Sequence, residues 1–238
     1  MENKQMLNLD LKNSTSKEKF KNVQDVHNNI AETYKARLGQ EWENKEFIDR
    51  FIAAINAKFT DKDISPKVLE LGCGWGYHVN YLCQNKIDAE GIDFSENFLK
   101  IAKTEFPKVK FHQMNALEIA KHFKPNSFDG IMAIFFLHFI PHSETVNLWK
   151  NISNVLKVGG KFFAVAMVGD NEENMSFSSC LPKTTETRLF TSIYSEHDLQ
   201  NILAKNNFII DFWNGVPKVE KEIINGKGKV VFMATKIK

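Results

Sequence analysis

The sequence predicts an α/β fold, a doubly wound parallel sheet with helices packed on both faces. Three observations predict it. Short apolar runs alternate with segments of helical period along most of the 238 residues. The runs end in acidic, amide or small residues, which places these groups at the carboxyl ends of the strands, where a parallel sheet gathers its ligand. The first run, residues 68–71, passes into a turn with glycine at every second position before a helix begins.

Taken in order, residues 1–22 are rich in Asn, Lys, Ser and Gln without periodic apolar positions, and read as a disordered or loose tail. Residues 23–238 read as one domain. Val23, Val26, Ile30, Tyr34 and Leu38, then Phe47, Ile48, Phe51, Ile52 and Ile55, recur at helical spacing, so a two-helix cap occupies 23–62 with Gly39 as the break. Residues 66–167 carry the strand-helix repeats, including helices over 78–84 and 94–106, the latter opened by Ser95 and stopped by Pro107. Residues 168–194 lose periodicity and read as a long loop that lids a substrate site. In 195–238, Ser195-Glu196-His197-Asp198 is a capping box before a helix over 199–205, and strands are expected near 208–213 and 229–237.

The segment Val68-Leu69-Glu70-Leu71-Gly72-Cys73-Gly74-Trp75-Gly76 is a buried-strand pattern followed by a turn in which backbone must approach a nucleotide-like ligand closely. The dinucleotide-binding spacing is G-x-G-x-x-G. Here the third-glycine position is Tyr77, the spacing is G-x-G-x-G, and Glu70 stands two residues ahead of the first glycine. Four more segments follow. Ala89-Glu90-Gly91-Ile92-Asp93-Phe94-Ser95 ends a strand in an acid at the distance where a carboxylate meets an adenosyl ribose. Phe111-His112-Gln113-Met114-Asn115-Ala116 ends in an amide and a small residue. Then come Ser127-Phe128-Asp129 through Ala133 to Leu137-His138-Phe139, and Leu156-Lys157-Val158-Gly159-Gly160.

In this order the five segments resemble the motifs of the class I S-adenosylmethionine (SAM) dependent methyltransferases. The resemblance covers about residues 66–167. It departs at Asn115, where the family has Asp, and at Val158, where it has Pro. The resemblance implies a mostly parallel seven-stranded sheet whose last strand runs antiparallel in a hairpin with its predecessor. It also implies SAM as cofactor, with S-adenosylhomocysteine (SAH) as product. Glu70 would orient a loop shaped by Gly72, Cys73, Gly74 and Gly76 under the methionine moiety, Asp93 would bind ribose, and Phe94 would lie on adenine. Asn115, whose amide oxygen still accepts from an amino group, and Ala116 would meet adenine, and Ala133 would complete the site.

Methyl transfer from a sulfonium needs positioning and exclusion of water, and a base only where the acceptor must lose a proton. The candidates are His138, then His142 and Glu144. His138 reads either as general base or as a strand-end residue bonded to backbone. Pro141 disfavours a His138/His142 metal pair and no third ligand is evident, so no metal is expected. Tyr34 either packs on the sheet or reaches the methionyl carboxylate; Arg37 and Arg188 are exposed cations or substrate ligands. Phe135, Phe136 and Phe139 line an acceptor pocket or fill the core, and Trp75 borders the methionine end.

The tetrapeptide that marks methylation of exocyclic base nitrogens is absent, with Ala133-Ile134-Phe135-Phe136 in its place. Cys180 precedes Leu181-Pro182, the reverse of the order a pyrimidine-carbon nucleophile needs. What remains is a metal-independent methyltransferase acting on an oxygen or nitrogen of a small molecule. The alternatives are a non-catalytic SAM-binding or RNA-associated module, transfer to tRNA or protein, and an NAD-dependent oxidoreductase.

Composition agrees with an ordinary globular enzyme: 43% hydrophobic and 25% charged residues. With 31 basic against 29 acidic residues, neither nucleic acid nor an anionic membrane is indicated as a partner. Three cysteines at these spacings make neither a disulfide framework nor a zinc knuckle. The polar start and the lack of a long apolar stretch give a cytoplasmic expectation, and the absence of repeats or heptads gives a monomer or weak dimer.

Overall fold

The computed structural model describes residues 10, 13–38, 44–59, 64–177, 188–216 and 228–238. Two helices, α1 (Ser16–Leu38) and α2 (Lys45–Asn56), precede the sheet. The first half alternates β1 (Lys67–Leu71), α3 (Tyr77–Gln84), β2 (Asp88–Asp93), α4 (Glu96–Glu105), β3 (Lys110–Gln113) and a short α5 (Ile119–His122). Then come β4 (Phe128–Ile134), α6 (Thr145–Val155), β5 (Leu156–Val168), a hairpin of β6 (Glu172–Phe177) and β7 (Arg188–Ile193), α7 (Glu196–Lys205), β8 (Phe208–Val216) and β9 (Gly228–Lys236).

Seven strands form one sheet in the order β3-β2-β1-β4-β5-β9-β8. The first five are parallel, and β9 runs antiparallel to both β5 and β8. The expected antiparallel last strand and its hairpin are therefore present, with β9 lying inside the sheet. Strand alternation feeds two apolar layers. Leu69, Leu71, Ile131 and Phe162 pack under α6 and α7, whereas Val68, Met132, Phe163 and Val165 pack under α2, α3 and α4. Ser95 caps α4 by accepting from the Phe98 N–H, and Ser195 caps α7 from the Asp198 N–H, so both sequence-read helix starts hold.

Two expectations are corrected. The segment 1–22 is not all tail, because α1 begins at Ser16. Thr15 and Glu18 form a capping box, the Thr15 N–H donating to Glu18 Oε2 at 2.7 Å while Thr15 Oγ1 accepts from the Glu18 N–H. The helix holds because its apolar face, Val23, Val26 and Ile30, packs on Leu189 and Phe190. The segment 168–194 is not simply a loop, because β6 and β7 pair antiparallel from Glu172↔Ile193 to Phe177↔Arg188. Gly39 and Cys180 lie outside the described residues. No described helix is long and apolar enough to cross a membrane.

Candidate functional site

The sheet order places β1 between β2 and β4, so the turn after β1 sits at the centre of the sheet's carboxyl edge. There the Cys73 N–H donates to the Ile92 carbonyl, and the Gly74 N–H donates to Asp93 Oδ2 at 2.9 Å. Asp93 Oδ1 accepts from the Ser95 N–H at 2.8 Å. One carboxylate thus ties the glycine loop to the start of α4, and each of its oxygens can accept a further hydrogen bond. Burial raises the Asp93 pKa to about 6, against the lowering effect of the Ser95 and Gly74 N–H groups.

A Cβ built at Gly74, where φ is +52°, meets nothing within 4 Å, so the loop's backbone faces open space there. At Gly76, with φ +80°, a Cβ would stand 2.4 Å from Phe111 Cζ. Gly76 shapes the loop from behind instead of lining the cavity. Glu70, 1% exposed, pairs through Oε1 with His78 Nδ1 at 3.1 Å; its Oε2 is buried without a hydrogen-bond partner among the described residues. Burial pushes its carboxyl pKa up, opposed by His78. The buried Cys73 thiol is pushed well above its ordinary value and stays neutral.

Glu70, Cys73, Gly74, His78 and Asp93 line a cavity of about 190 Å³. Of the residues expected at the cofactor, Tyr34, Glu70, Gly72, Cys73, Gly74, Asp93, Phe94, Asn115 and Ala116 line it. Asn115 Oδ1 already accepts from the Leu117 N–H at 2.9 Å, capping the following turn, which leaves one lone pair of the amide oxygen for a ligand. Ala133 does not line the cavity. Strand alternation turns it into the layer beneath α6 with Leu69 and Ile131, and its neighbour Ile134 faces the site instead.

His138 does not line it either: it is buried in a turn after β4, its ring 4.1 Å from that of Phe139. His142 donates its N–H to Glu173, and its ring nitrogen Nε2 is 3.2 Å from the Ile193 carbonyl, which makes it a strut of the β6–β7 hairpin. Phe135 adopts φ +50°, a left-handed turn that lets Phe135 and Phe136 both line the cavity.

The roof is α1. Phe20, His27 and Tyr34 from its inner face line the cavity, and Tyr34, Trp75 and Phe98 pack as an aromatic cluster with ring centroids 5.7 to 6.1 Å apart. Gln24 donates to the Phe94 carbonyl, and Asn28 accepts from Ser95 Oγ. Asn22 reads the edge of β7, accepting from the Phe190 N–H and donating to the Arg188 carbonyl. Lys19, largely buried, pairs with Glu173 of β6 at 2.6 Å. Phe20 and His27 were missed in the sequence. For His27 the signal was a polar residue on the apolar stripe of a helix, four residues after Val23 and seven before Tyr34.

A broader open groove of about 1160 Å³ adjoins the cavity and shares Phe20, Phe94, Met114 and Asn115 with it. The glycine loop does not line that groove, so the smaller cavity is the candidate site.

Residues 68–160 match a family described as "Methyltransferase domain". The chain is 30% identical over 107 residues to a ubiquinone biosynthesis O-methyltransferase of Idiomarina loihiensis, covering 44% of this chain and 43% of that protein. It is also 30% identical over 149 residues to the human mitochondrial protein named arginine-hydroxylase NDUFAF5, covering 60% of this chain and 42% of that one. The match thus spans less than half the length of these curated relatives. In fold it is similar to the Burkholderia thailandensis 1,6-didemethyltoxoflavin-N1-methyltransferase solved with S-adenosylhomocysteine, with TM-score 0.65 and 16% identity over 94% of this chain and 92% of that one.

Proposed function

From the premise that this chain carries a methyltransferase domain on the class I SAM-dependent methyltransferase fold, we propose that it moves the SAM methyl group to an oxygen or nitrogen of a small-molecule acceptor. The observation that carries the reading is the junction of Gly74 and Asp93. A carboxylate fixed by the loop's own N–H groups, beside loop backbone that faces open space, suits a ribose diol lying over the loop. Glu70, buried at the end of β1 and paired with His78, is placed to orient the loop.

SAM supplies a methyl already activated on sulfur, so the chain's work is to bind, orient and exclude water. Asp93 and Asn115 hold the nucleoside. Trp75, Phe136 and Phe139 give the acceptor side apolar walls. The cavity, about 190 Å³, is roofed by Phe20, His27 and Tyr34 of α1.

Calorimetric titration of the full chain with SAM, SAH and NADH tests the cofactor, with micromolar binding of the first two and none of the third expected. Binding of NADH alone would overturn the reading. The human relative's name favours a second reading, a reaction other than methyl transfer on the same fold. Methyl-labelled SAM separates the two, since only a transferase passes the label to an acceptor.

A further inference from the structure

His27 sits on the buried face of α1 and is 8% exposed. Its Nδ1 lies 2.7 Å from the Val23 carbonyl oxygen. A carbonyl only accepts, so Nδ1 carries the hydrogen, and in the neutral ring Nε2 is left with the lone pair. Nε2 has no hydrogen-bond partner among the described residues, although the ring lines the cavity. The ring is 4.8 Å from Phe139, 6.0 Å from Phe98 and 6.4 Å from Phe94. Phe94 follows β2 and Phe139 follows β4, and β1 runs between those strands. The ring thus packs between a residue that follows β2 and one that follows β4, and it lines the same cavity as Gly72, Cys73 and Gly74.

We propose that Nε2 of His27 is the base that accepts the proton of the methyl acceptor, and that the acceptor is an uncharged, flat compound bearing a hydroxyl group. The proposal rests on the methyl-transfer reading. A hydroxyl must give up its proton when its oxygen takes the methyl group, whereas an amine that enters neutral retains a positive charge afterwards and needs no base. The O–H bond breaks and its proton goes to Nε2; the oxygen–methyl bond forms as the sulfur–methyl bond breaks, with that bond's electron pair remaining on sulfur. One unit of positive charge thereby passes from the sulfur to the imidazole, so the net charge of the site is the same before and after transfer. Phe139 and Phe98 pack against the ring, with centroids 4.8 and 6.0 Å away. Burial holds the pKa at about 4, against the Val23 carbonyl, so the ring waits neutral at pH 7. Trp75, Phe136 and Phe139 give the flat apolar walls that an aromatic hydroxyl compound fills.

The test uses the full chain, its His27→Asn and His27→Phe variants, and methyl-labelled SAM with phenol, catechol, 1-naphthol, aniline and tyramine as probes. Both variants are expected to bind SAH within threefold of the parent and to lose at least about 100-fold in kcat on the hydroxyl probes. Nitrogen-15 NMR of the parent at pH 7 is expected to show a protonated Nδ1 and a bare Nε2 whose resonance moves when SAH and the accepted phenol are added. A kcat within threefold in the variants, a kcat loss matched by an equal loss of SAH affinity, or a protonated Nε2 at pH 7 would overturn the assignment. Label appearing only on nitrogen, in aniline or on the amino group of tyramine, would refute the hydroxyl class. Tight SAH binding with no label transferred to any probe refutes the transferase reading, and the base with it.

Discussion

Asp93 makes a pH prediction whose sign differs for the empty and the loaded protein. Its carboxyl is buried and its pKa is raised to about 6 from 3.8. In the empty protein the folded state holds this proton more tightly than the unfolded chain does. The associated stability is complete below pH 4 and is lost as pH rises through 6, about 3 kcal/mol for a shift of about two units. Only the ionised form accepts charge-assisted bonds from both ribose hydroxyls at once, so cofactor binding runs the other way. SAH affinity should be constant above pH 7 and fall about tenfold per pH unit below 6. Equilibrium dialysis with labelled SAH from pH 5 to 8 reads this directly. Asp93→Asn should remove the slope and cost about 1.5–3 kcal/mol at pH 7.5, roughly 10- to 150-fold in Kd. Glu70 is also raised by burial, so Glu70→Gln is the control that must keep the slope. A flat profile in the parent, or an undiminished slope in Asp93→Asn, would refute the reasoning.

The two loop glycines should separate. Gly76→Ala drives a methyl into Phe111 at positive φ and should cost more than about 2 kcal/mol of stability in urea denaturation. Gly74→Ala meets no protein atom, so it should cost only about 1 kcal/mol of strain yet weaken SAH at least tenfold, because its methyl takes the ligand's space. Lys19→Met strands Glu173, whose pKa lies below its usual value because Lys19 and the His142 N–H outweigh burial; about 1–3 kcal/mol of stability and faster hydrogen exchange along α1 are expected. Lys236 donates to the Ser153 and Leu156 carbonyls at the end of α6, and Lys236→Met should cost about 1–3 kcal/mol in thermal unfolding.

Much of the fold was legible because the parallel strands are buried on both faces and their ends are punctuated. Leu69 and Val68 go to opposite layers, yet both are apolar, so the run reads as a central strand. The Ser95 and Ser195 caps read correctly for the same local reason, a side-chain oxygen that meets an N–H three residues on. The hairpin of β6 and β7 did not, because Glu172, Glu173 and Asn174 pair across strands through backbone and carry no apolar alternation. The start of α1 hid in a polar stretch whose Thr15–Glu18 box was the available clue. At the site, strand phase was the weak link. It sends Ala133 into the core, and the turn after β4 buries His138 beside Phe139. His27, one of two histidines that line the cavity, comes from the helix over it, and linear spacing gives no measure of what a helix covers.

The central claim is that the cavity between the glycine loop and α1 holds the SAM nucleoside on Asp93. A crystal structure of the full chain with SAH tests it most directly. The account predicts both ribose hydroxyls within hydrogen-bond distance of the Asp93 carboxylate and adenine against Phe94 near Asn115. A nucleoside bound in the open groove, or in the cavity with its ribose away from Asp93, would contradict it.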